Sequence, residues 1–292
     1  WPENYDYANK RIVVIGSGAT AVTIVPSMAL APDGKAAAHV TMLQRTPTWM
    51  FLRPSEDKLA NFLRRIMPDE WAYRITRFKN VRLQNFGFKM ARSKPQKVAD
   101  KLTKTLQKEL GDKYDAAAFT PPYNPWEQRL CLVPDSDLCV AMRAGKVDIV
   151  TDHIDRFDAD GIVLRSGRHL PADIIVTATG LKLTMAGKVD FSVDGKAVHW
   201  PDHFYYKGCM FSNIPNMAIV FGYLNASWTL KADVVSAYVC RLLNHLDAVG
   251  ADYANPAVDE STLGEEPVFD FSSGYIQRAL GILPKNGTAA PW

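Results

Sequence analysis

The sequence lacks the features that identify several common protein classes. Its four cysteines form no C-x-x-C pair, so neither a zinc site nor a dithiol redox motif is expected. No apolar run approaches the roughly 18 residues of a membrane-spanning helix. His199 and His203 lie close together without a third candidate ligand, and no metal site is predicted. Scattered thiols are typical of a reducing compartment, which predicts a cytoplasmic location.

Acidic residues are scarce in one segment. The formal net charge is +3 over 292 residues, but residues 51–110 contain 15 Lys and Arg against 6 Asp and Glu. Such a segment could attract an acidic partner or the surface of a membrane. Solvent-exposed helix faces would give the same composition, and both interpretations remain open. No pattern in the sequence predicts a nucleic-acid partner.

A strand, a glycine turn, a helix and a second strand follow one another near the start of the sequence. Arg11–Ile15 is short and rich in β-branched residues, which predicts a buried strand. Thr20–Ala31 has the pattern of a helix, and His39–Gln44 predicts the next strand. This order is the context in which a glycine-rich turn indicates dinucleotide binding.

The turn itself reads Gly16-Ser17-Gly18-Ala19-Thr20-Ala21. Gly16 allows a tight turn after the strand, and Gly18 lets the backbone approach a pyrophosphate. Ala21 is small enough for close packing of the helix on the strand. The pyrophosphate would then lie at the positive N-terminus of the helix. We therefore predict that residues 16–21 bind a dinucleotide.

The end of the second strand lacks the carboxylate that NAD sites use to bind the ribose 2′-hydroxyl. Gln44 is followed by Arg45 and Thr46 instead. A guanidinium group can bind a 2′-phosphate through two hydrogen bonds, and the threonine hydroxyl can add a donor. These residues predict NADPH rather than NADH or FAD at this turn.

The remaining pattern predicts an α/β fold interrupted by helices. Between Pro54 and Leu110 the apolar residues have helical spacing, which predicts amphipathic, basic helices. A long helix is predicted over Thr229–Leu246, with Ser227 or Thr229 as a side-chain cap. Further strands are predicted over Val147–Val150, Ile162–Arg165, Asp173–Thr177 and Met217–Phe221.

Several phrases together resemble one enzyme family. They are KRIVVIGSGATAVTIVP, VTMLQRTPT, YNPWEQRLCLVPDSDL, LPADIIVTATG and GYLNASWTLKADVVSAYVCRLLN. The sequence resembles the flavin-containing monooxygenases, and among them the Baeyer–Villiger branch. The resemblance covers nearly the whole sequence.

The resemblance implies FAD and NADPH as cofactors, each with its own domain. It implies a Rossmann-type NADPH-binding domain over residues 1–50 and 126–180 and a helical insertion over 51–125. Residues 181–292 would form the C-terminal part of an FAD-binding domain. The sequence does not start with Met, and the family's fingerprint would end at Trp1-Pro2. We therefore expect that an N-terminal FAD-binding segment is missing from this sequence.

The resemblance also implies roles for individual residues. Arg129 corresponds to the active-site arginine, whose charge would stabilise an oxygen anion. Ala178, Thr179 and Gly180 correspond to the hinge that returns the chain to the FAD domain. Asn225 and Ser227 lie at the start of a helix that would point at the flavin.

Three functions remain open at this point. The first is a Baeyer–Villiger monooxygenase, in which NADPH reduces FAD and a flavin peroxide formed with O2 oxygenates a ketone, thioether or thioamide. The second is a related monooxygenase that oxygenates only nitrogen or sulfur. The third is an NADPH-binding module without flavin chemistry. The sequence predicts neither the oligomeric state nor the identity of the substrate.

Overall fold

The computed structural model describes residues 2, 5–32, 34–223 and 226–292. It has two compact units, Trp1–Gly180 and Leu181–Trp292. None of the helices within the described residues is both long and apolar enough to cross a membrane.

The first unit mixes helices and strands. Its strands are β1 (Arg11–Ile15), β2 (His39–Gln44), β3 (Met50–Arg53), β4 (Cys131–Pro134), β5 (Val147–Thr151), β6 (Ile154–Phe157), β7 (Gly161–Leu164), β8 (His169–Pro171) and β9 (Ile174–Thr177). Its helices are α1 (Ala19–Ala29), α2 (Lys58–Ile66), α3 (Asp69–Ser93), α4 (Pro95–Leu110), α5 (Ala116–Phe119) and α6 (Asp137–Arg143).

A four-stranded sheet forms the centre of this unit. The strand order is β5-β2-β1-β9, and all three pairings are parallel. Val13 of β1 pairs with Thr41 of β2 on one side and with Ile175 of β9 on the other. The carboxyl ends of these strands therefore meet at one edge of the sheet, which is where ligands bind in open α/β sheets.

Both faces of the sheet are covered. Val13 and Val14 are consecutive residues of β1 that point to opposite faces, and both are fully buried. Val14 belongs to a core that includes residues of α1, α4, α5 and α6, whereas Val13 packs with the small antiparallel sheet β6-β7-β8. Each such buried side chain contributes about 1.5–3 kcal/mol to folding, which holds the strand ends in fixed positions.

A helical segment connects β3 and β4, which pair in parallel from Met50 opposite Cys131. Asp57 stands at the start of α2, where its side chain accepts hydrogen bonds from the backbone N–H of Ala60 and from the ammonium group of Lys79 on α3. These bonds tie α2 to α3.

In the described part of the second unit, residues 181–223 and 226–292, there are three two-stranded sheets and one long helix. Its elements are β10 (Ser192–Val193), β11 (Lys196–Ala197), β12 (Tyr205–Tyr206), β13 (Met210–Phe211), β14 (Glu265–Pro267), β15 (Lys285–Gly287), α7 (Trp228–Val249) and α8 (Gly274–Gln277). Trp200, Tyr205, Phe211 and Leu283 lie in its main core.

Most predicted elements are confirmed. β1 and β2 have the predicted bounds, and the strands predicted over Val147–Val150, Ile162–Arg165 and Asp173–Thr177 each lie within one residue of β5, β7 and β9. The predicted helices correspond to α1–α4 and α7. Helix α1 ends two residues earlier than expected, at Ala29, where Leu30 closes the last turn through a hydrogen bond to Pro26.

The strand predicted over Met217–Phe221 is wrong. No strand is assigned to residues 217–223, all of which the structure describes. The segment is held by a hydrogen bond from the backbone N–H of Ile219 to the carbonyl oxygen of Cys209, at 2.8 Å. An apolar run predicts burial but does not by itself supply a neighbouring strand, so the prediction failed.

Candidate functional site

The glycine turn lies at the carboxyl ends of three neighbouring parallel strands. The backbone N–H of Gly16 donates to Leu43 of β2, and that of Ala178 donates to Ile15 of β1, both at 2.8 Å. Gly16 has φ +139°, and a Cβ atom there would lie 2.3 Å from the carbonyl oxygen of Ala178. Only glycine fits this position, because a side chain would clash with the backbone that follows β9.

Helix α1 starts directly after the turn. Gly18 is its N-cap residue, and neither a side-chain cap nor an acidic residue in the first turn neutralises the N-terminus. A Cβ atom on Gly18 would have no heavy atom within 4 Å, and Ala19 and Thr20 are exposed. Ala21 is fully buried. The first turn of α1 therefore has N–H groups without a side-chain cap and open space beside Gly18, an arrangement that suits an anionic group.

Ser17 connects this turn to the end of β2. Its hydroxyl donates a hydrogen bond to the carbonyl oxygen of Thr46 at 2.8 Å. Arg45, the preceding residue, is exposed, and the part of the chain that the structure describes gives its guanidinium no hydrogen-bond or ion-pair partner. A free cation therefore stands on the strand end that is bonded to the glycine turn.

Gln44, the last residue of β2, is held by hydrogen bonds of its side chain. Its side chain is buried, and its amide nitrogen donates to the carbonyl oxygen of Ala118 at 2.8 Å and to the hydroxyl of Thr151 at 2.9 Å. These bonds join the end of β2 to α5 and β5. They hold the end of the strand that carries the following residue, Arg45.

The start of β4 also lies beside the glycine turn. The sulfur of Cys131 is 3.8 Å from the carbonyl oxygen of Ser17 and 3.6 Å from the hydroxyl of Thr48. Burial raises the pKa of the Cys131 thiol, and the positive charge of Arg129 acts in the opposite direction. The Cys131 contact places the segment that contains Arg129 next to the turn.

The loop before Arg129 is held by its own side chains. Glu127 accepts hydrogen bonds from the side-chain amide of Asn124 at 2.7 Å and from its backbone N–H at 3.0 Å, and these bonds lower the pKa of Glu127. Trp126 has φ +69°, which is unusual for a bulky residue, and packs edge-on against Phe88 of α3 with 5.5 Å between the ring centroids. Arg129 is exposed at the end of this loop.

Of the remaining predicted site residues, those that the structure describes lie at two places. Thr179 and Gly180 are exposed at the end of the first unit, and Gly180 has φ +99°. Ser227 is the N-cap residue of α7 in the second unit, but its hydroxyl bonds to the hydroxyl of Thr229 at 2.8 Å and makes no capping hydrogen bond to the helix. The predicted cap is therefore wrong. Asn225 lies outside the described residues.

Within the first unit, the structure brings residues 16–21, Arg45, Thr46 and Ala178 to one edge of the sheet, with the Arg129 segment beside them. Sequence reasoning missed the residues that hold this arrangement, which are Gln44, Thr48, Asn124, Trp126, Glu127 and Cys131. The spacing of Asn124 and Glu127 resembles a local capping pattern and could have been found. The positive φ of Trp126 has no signal in the sequence.

The sequence was compared with protein-family models and with known proteins. No family model matches it. It is 47% identical over 293 residues to a probable FAD-binding monooxygenase, AlmA, of an Acinetobacter species, which covers 100% of this chain and 58% of that protein. It is 50% identical over 293 residues to the FAD-containing monooxygenase EthA of Mycobacterium tuberculosis, with 100% and 59% covered.

The fold has solved counterparts. The crystal structure of OTEMO in complex with FAD and NADP matches 95% of this chain and 56% of that chain, with a TM-score of 0.65 and 17% sequence identity. The chain spans less than two thirds of the length of the curated relatives that it matches. Over its whole length, the chain is homologous to part of the FAD-containing monooxygenases.

Proposed function

We propose that the first unit is a Rossmann-type domain that binds NADPH, formed by residues 1–50 and 126–180 with a helical insertion over 51–125. The parallel sheet, the glycine turn and the uncapped N-terminus of α1 support this proposal. The backbone N–H groups of residues 18–21 would bind the pyrophosphate, and Gly18 would leave room for it.

The observation that carries the cofactor assignment is the free guanidinium of Arg45. It stands at the end of β2 without a partner among the described residues, and Ser17 bonds that strand end to the turn through Thr46. A ribose 2′-phosphate would give Arg45 the anionic partner that the protein does not supply. Thr46 would add a hydroxyl donor. NADH has no group that would use Arg45 in this way.

The second unit would form the C-terminal part of an FAD-binding domain. Among the described residues, no side chain caps the N-terminus of α7, which would leave its N–H groups to a polar cofactor group. Ser227 and Asn225 would bind FAD at this terminus. In the first unit, Ala178, Thr179 and Gly180 would lie close to a bound cofactor, because the glycine allows close approach of the backbone. The names of the relatives, which are FAD-containing monooxygenases, support the assignment.

The protein would act as an FAD- and NADPH-dependent monooxygenase of the Baeyer–Villiger type. When bound, NADPH would supply the electrons and FAD the chemistry with O2. The substrate would be a small ketone, thioether or thioamide. Arg129 would hold its positive charge beside the oxygen that becomes negative during the reaction, and the Asn124–Glu127 bonds would fix its loop. The four free thiols support a cytoplasmic location.

The experiment that tests this proposal measures the absorbance of the flavin. A longer protein, in which the expected N-terminal FAD-binding segment precedes this chain, is mixed with FAD, and NADPH or NADH is added without oxygen while the flavin absorbance is recorded. Retained flavin that NADPH bleaches faster than NADH is the expected result. Admission of O2 with a ketone should then yield an ester. Equal bleaching by the two nucleotides would contradict the NADPH assignment, and reduced flavin that yields only hydrogen peroxide would contradict the oxygenation.

A further inference from the structure

Large apolar side chains are exposed on α2 and α3. Six large apolar side chains of α3 have 42–65% of their surface exposed, and these are Trp71, Tyr73, Ile75, Phe78, Leu83 and Phe86. Three on α2 are 45–59% exposed, namely Leu59, Phe62 and Ile66. The only fully buried residues of α3 are Ala72 and Ala91. This distribution is the reverse of an ordinary surface helix, whose apolar residues face the core.

Four of these residues share one face of α3. Trp71, Ile75, Phe78 and Phe86 fall within an arc of about 80° on a helix of 3.6 residues per turn. We call them the α3 stripe. Large apolar side chains exposed along one helix face are typical of a site of interaction with a partner or with lipid.

Basic side chains accompany the stripe. The guanidinium of Arg82 lies 5.0 Å from the centre of the Phe78 ring, and that of Arg74 lies 5.9 Å from the Trp71 ring. Arg74 also pairs with Glu70. Arg65, Arg82 and Lys89 are exposed, and the described part of the chain offers no salt-bridge partner to any of the three. Apolar rings and unneutralised cations are therefore presented together.

The charge decides which partner fits. Residues 51–110 contain 15 Lys and Arg against 6 Asp and Glu, so a second copy of the same face would be repelled. An anionic lipid surface attracts this charge, and Trp, Phe and Arg side chains are suited to the boundary between headgroups and acyl chains. We propose that the α3 stripe docks on the surface of an anionic lipid bilayer, with α3 lying along it.

The test is co-sedimentation with vesicles of this chain and of a longer protein that includes the segment expected to precede it. Binding by the short chain alone would show that the preceding segment covers the stripe, and would overturn the proposal. One set contains equal parts of phosphatidylglycerol and phosphatidylcholine, and the other contains phosphatidylcholine alone. Binding should occur to the anionic vesicles and decline as salt is added. The fluorescence difference between the wild type and Trp71→Phe should shift to shorter wavelength on binding, because the indole leaves water.

Two variants separate the contributions of charge and apolar surface. Combined Arg65→Gln, Arg82→Gln and Lys89→Gln should weaken binding roughly 100-fold, since each cation near an anionic surface contributes about a fivefold factor. The matched control changes three exposed lysines of α4 (Lys101, Lys104 and Lys108) to Gln and should have a clearly smaller effect. Combined Phe78→Ala and Phe86→Ala should weaken binding at least tenfold, whereas Leu243→Ala with Val249→Ala, on α7, should not.

The outcomes that would overturn the proposal are distinct. Equal binding to neutral and anionic vesicles would show that charge does not contribute to binding. An equal loss of vesicle binding in the stripe variants and in their controls would show that this face of α3 is not the binding surface. A dimer in sedimentation equilibrium that Phe78→Ala and Phe86→Ala dissociate, without vesicle binding, would show that a second copy covers the stripe. Circular dichroism and NADPH binding verify that each variant is folded.

Discussion

Gly16 and Ala178 approach each other so closely that a Cβ atom on Gly16 would lie 2.3 Å from the carbonyl oxygen of Ala178. The two residues follow β1 and β9, which pair in parallel up to Ile15 opposite Thr177. Two residues further on, Gly18 has open space around it. The two glycines of one turn therefore serve different needs, since Gly16 allows the backbone to pack and Gly18 leaves room for a ligand.

Alanine substitutions should distinguish the effect of Gly16 on stability from the effect of Gly18 on ligand binding. Gly16→Ala should lower the free energy of unfolding by about 3 kcal/mol, because it combines a positive φ with a backbone clash. Gly18 has φ −76°, which alanine adopts without strain. Gly18→Ala should change stability by less than about 0.5 kcal/mol but weaken NADPH binding at least tenfold. Urea unfolding and nucleotide titration measure the two effects, and a destabilised Gly18→Ala would contradict the assignment.

Arg45→Ala should weaken NADPH binding by roughly 10- to 100-fold, because hydrogen bonds to a charged phosphate are lost. NADH binding should change less than about twofold, since no 2′-phosphate is present. Arg168→Ala is the matched control, because Arg168 is an exposed arginine in the β7–β8 turn of the same unit. Isothermal titration with both nucleotides gives the comparison. An equal loss for NADPH and NADH would refute the role of Arg45.

Arg129→Ala, in protein loaded with FAD, should reduce product formation by roughly 100- to 1,000-fold, the usual effect of removing one group that stabilises a developing oxyanion. Reduction of the flavin by NADPH without oxygen should be unchanged. Arg129→Lys should recover part of the activity because it retains the charge. Product yield and stopped-flow absorbance measure the two steps. Ester formation at the wild-type rate by Arg129→Ala would exclude a catalytic role.

The Asp57–Lys79 pair should make stability depend on pH. Hydrogen bonds from Lys79 and Ala60 lower the pKa of Asp57 to about 2. The stabilisation is therefore complete above the ordinary pKa of an aspartate, near 4, and is lost as the pH falls from about 4 towards 2. Asp57→Asn keeps a capping side chain but removes the charge, and should cost on the order of 1 kcal/mol at neutral pH.

That difference should shrink as the pH falls, because the wild-type carboxylate then becomes protonated. Urea unfolding of the wild type and Asp57→Asn at a series of pH values measures it. Lys79→Gln should reduce the same pH dependence, since it removes the main partner. A difference that stays constant down to pH values near 2 would show that the charge of Asp57 is not responsible.

The sequence predicted the elements that depend on local pattern. β1, β2 and β9 are short apolar runs that end at glycine or at polar residues, and they form adjacent strands as expected. The glycine turn was predictable because each of its positions has a stereochemical requirement. Arg45 was noticed because a carboxylate is missing from its usual place.

Contacts between distant segments were not predictable in the same way. The Arg129 segment reaches the glycine turn because β4 pairs with β3, which lies before the helical segment. Nothing in residues 50–53 or 131–134 specifies the other as its partner. The segment around Ile219 shows the converse case. Its sequence is typical of a strand, but residues 217–223 form none.

The parallel pairing of β3 with β4 also fixes where the helical segment leaves and rejoins the fold. Because the pairing is parallel, the segment leaves after Arg53 and returns at Cys131, at opposite ends of the two strands, so its ends are held roughly one strand length, about 10 Å, apart. Doubling the length of a connection with fixed ends costs only about 0.6 kcal/mol in closure entropy. The connection around α2 can therefore change in length with little effect on these anchors, whereas the end of α3 also supports the Arg129 loop through the contact of Phe88 with Trp126.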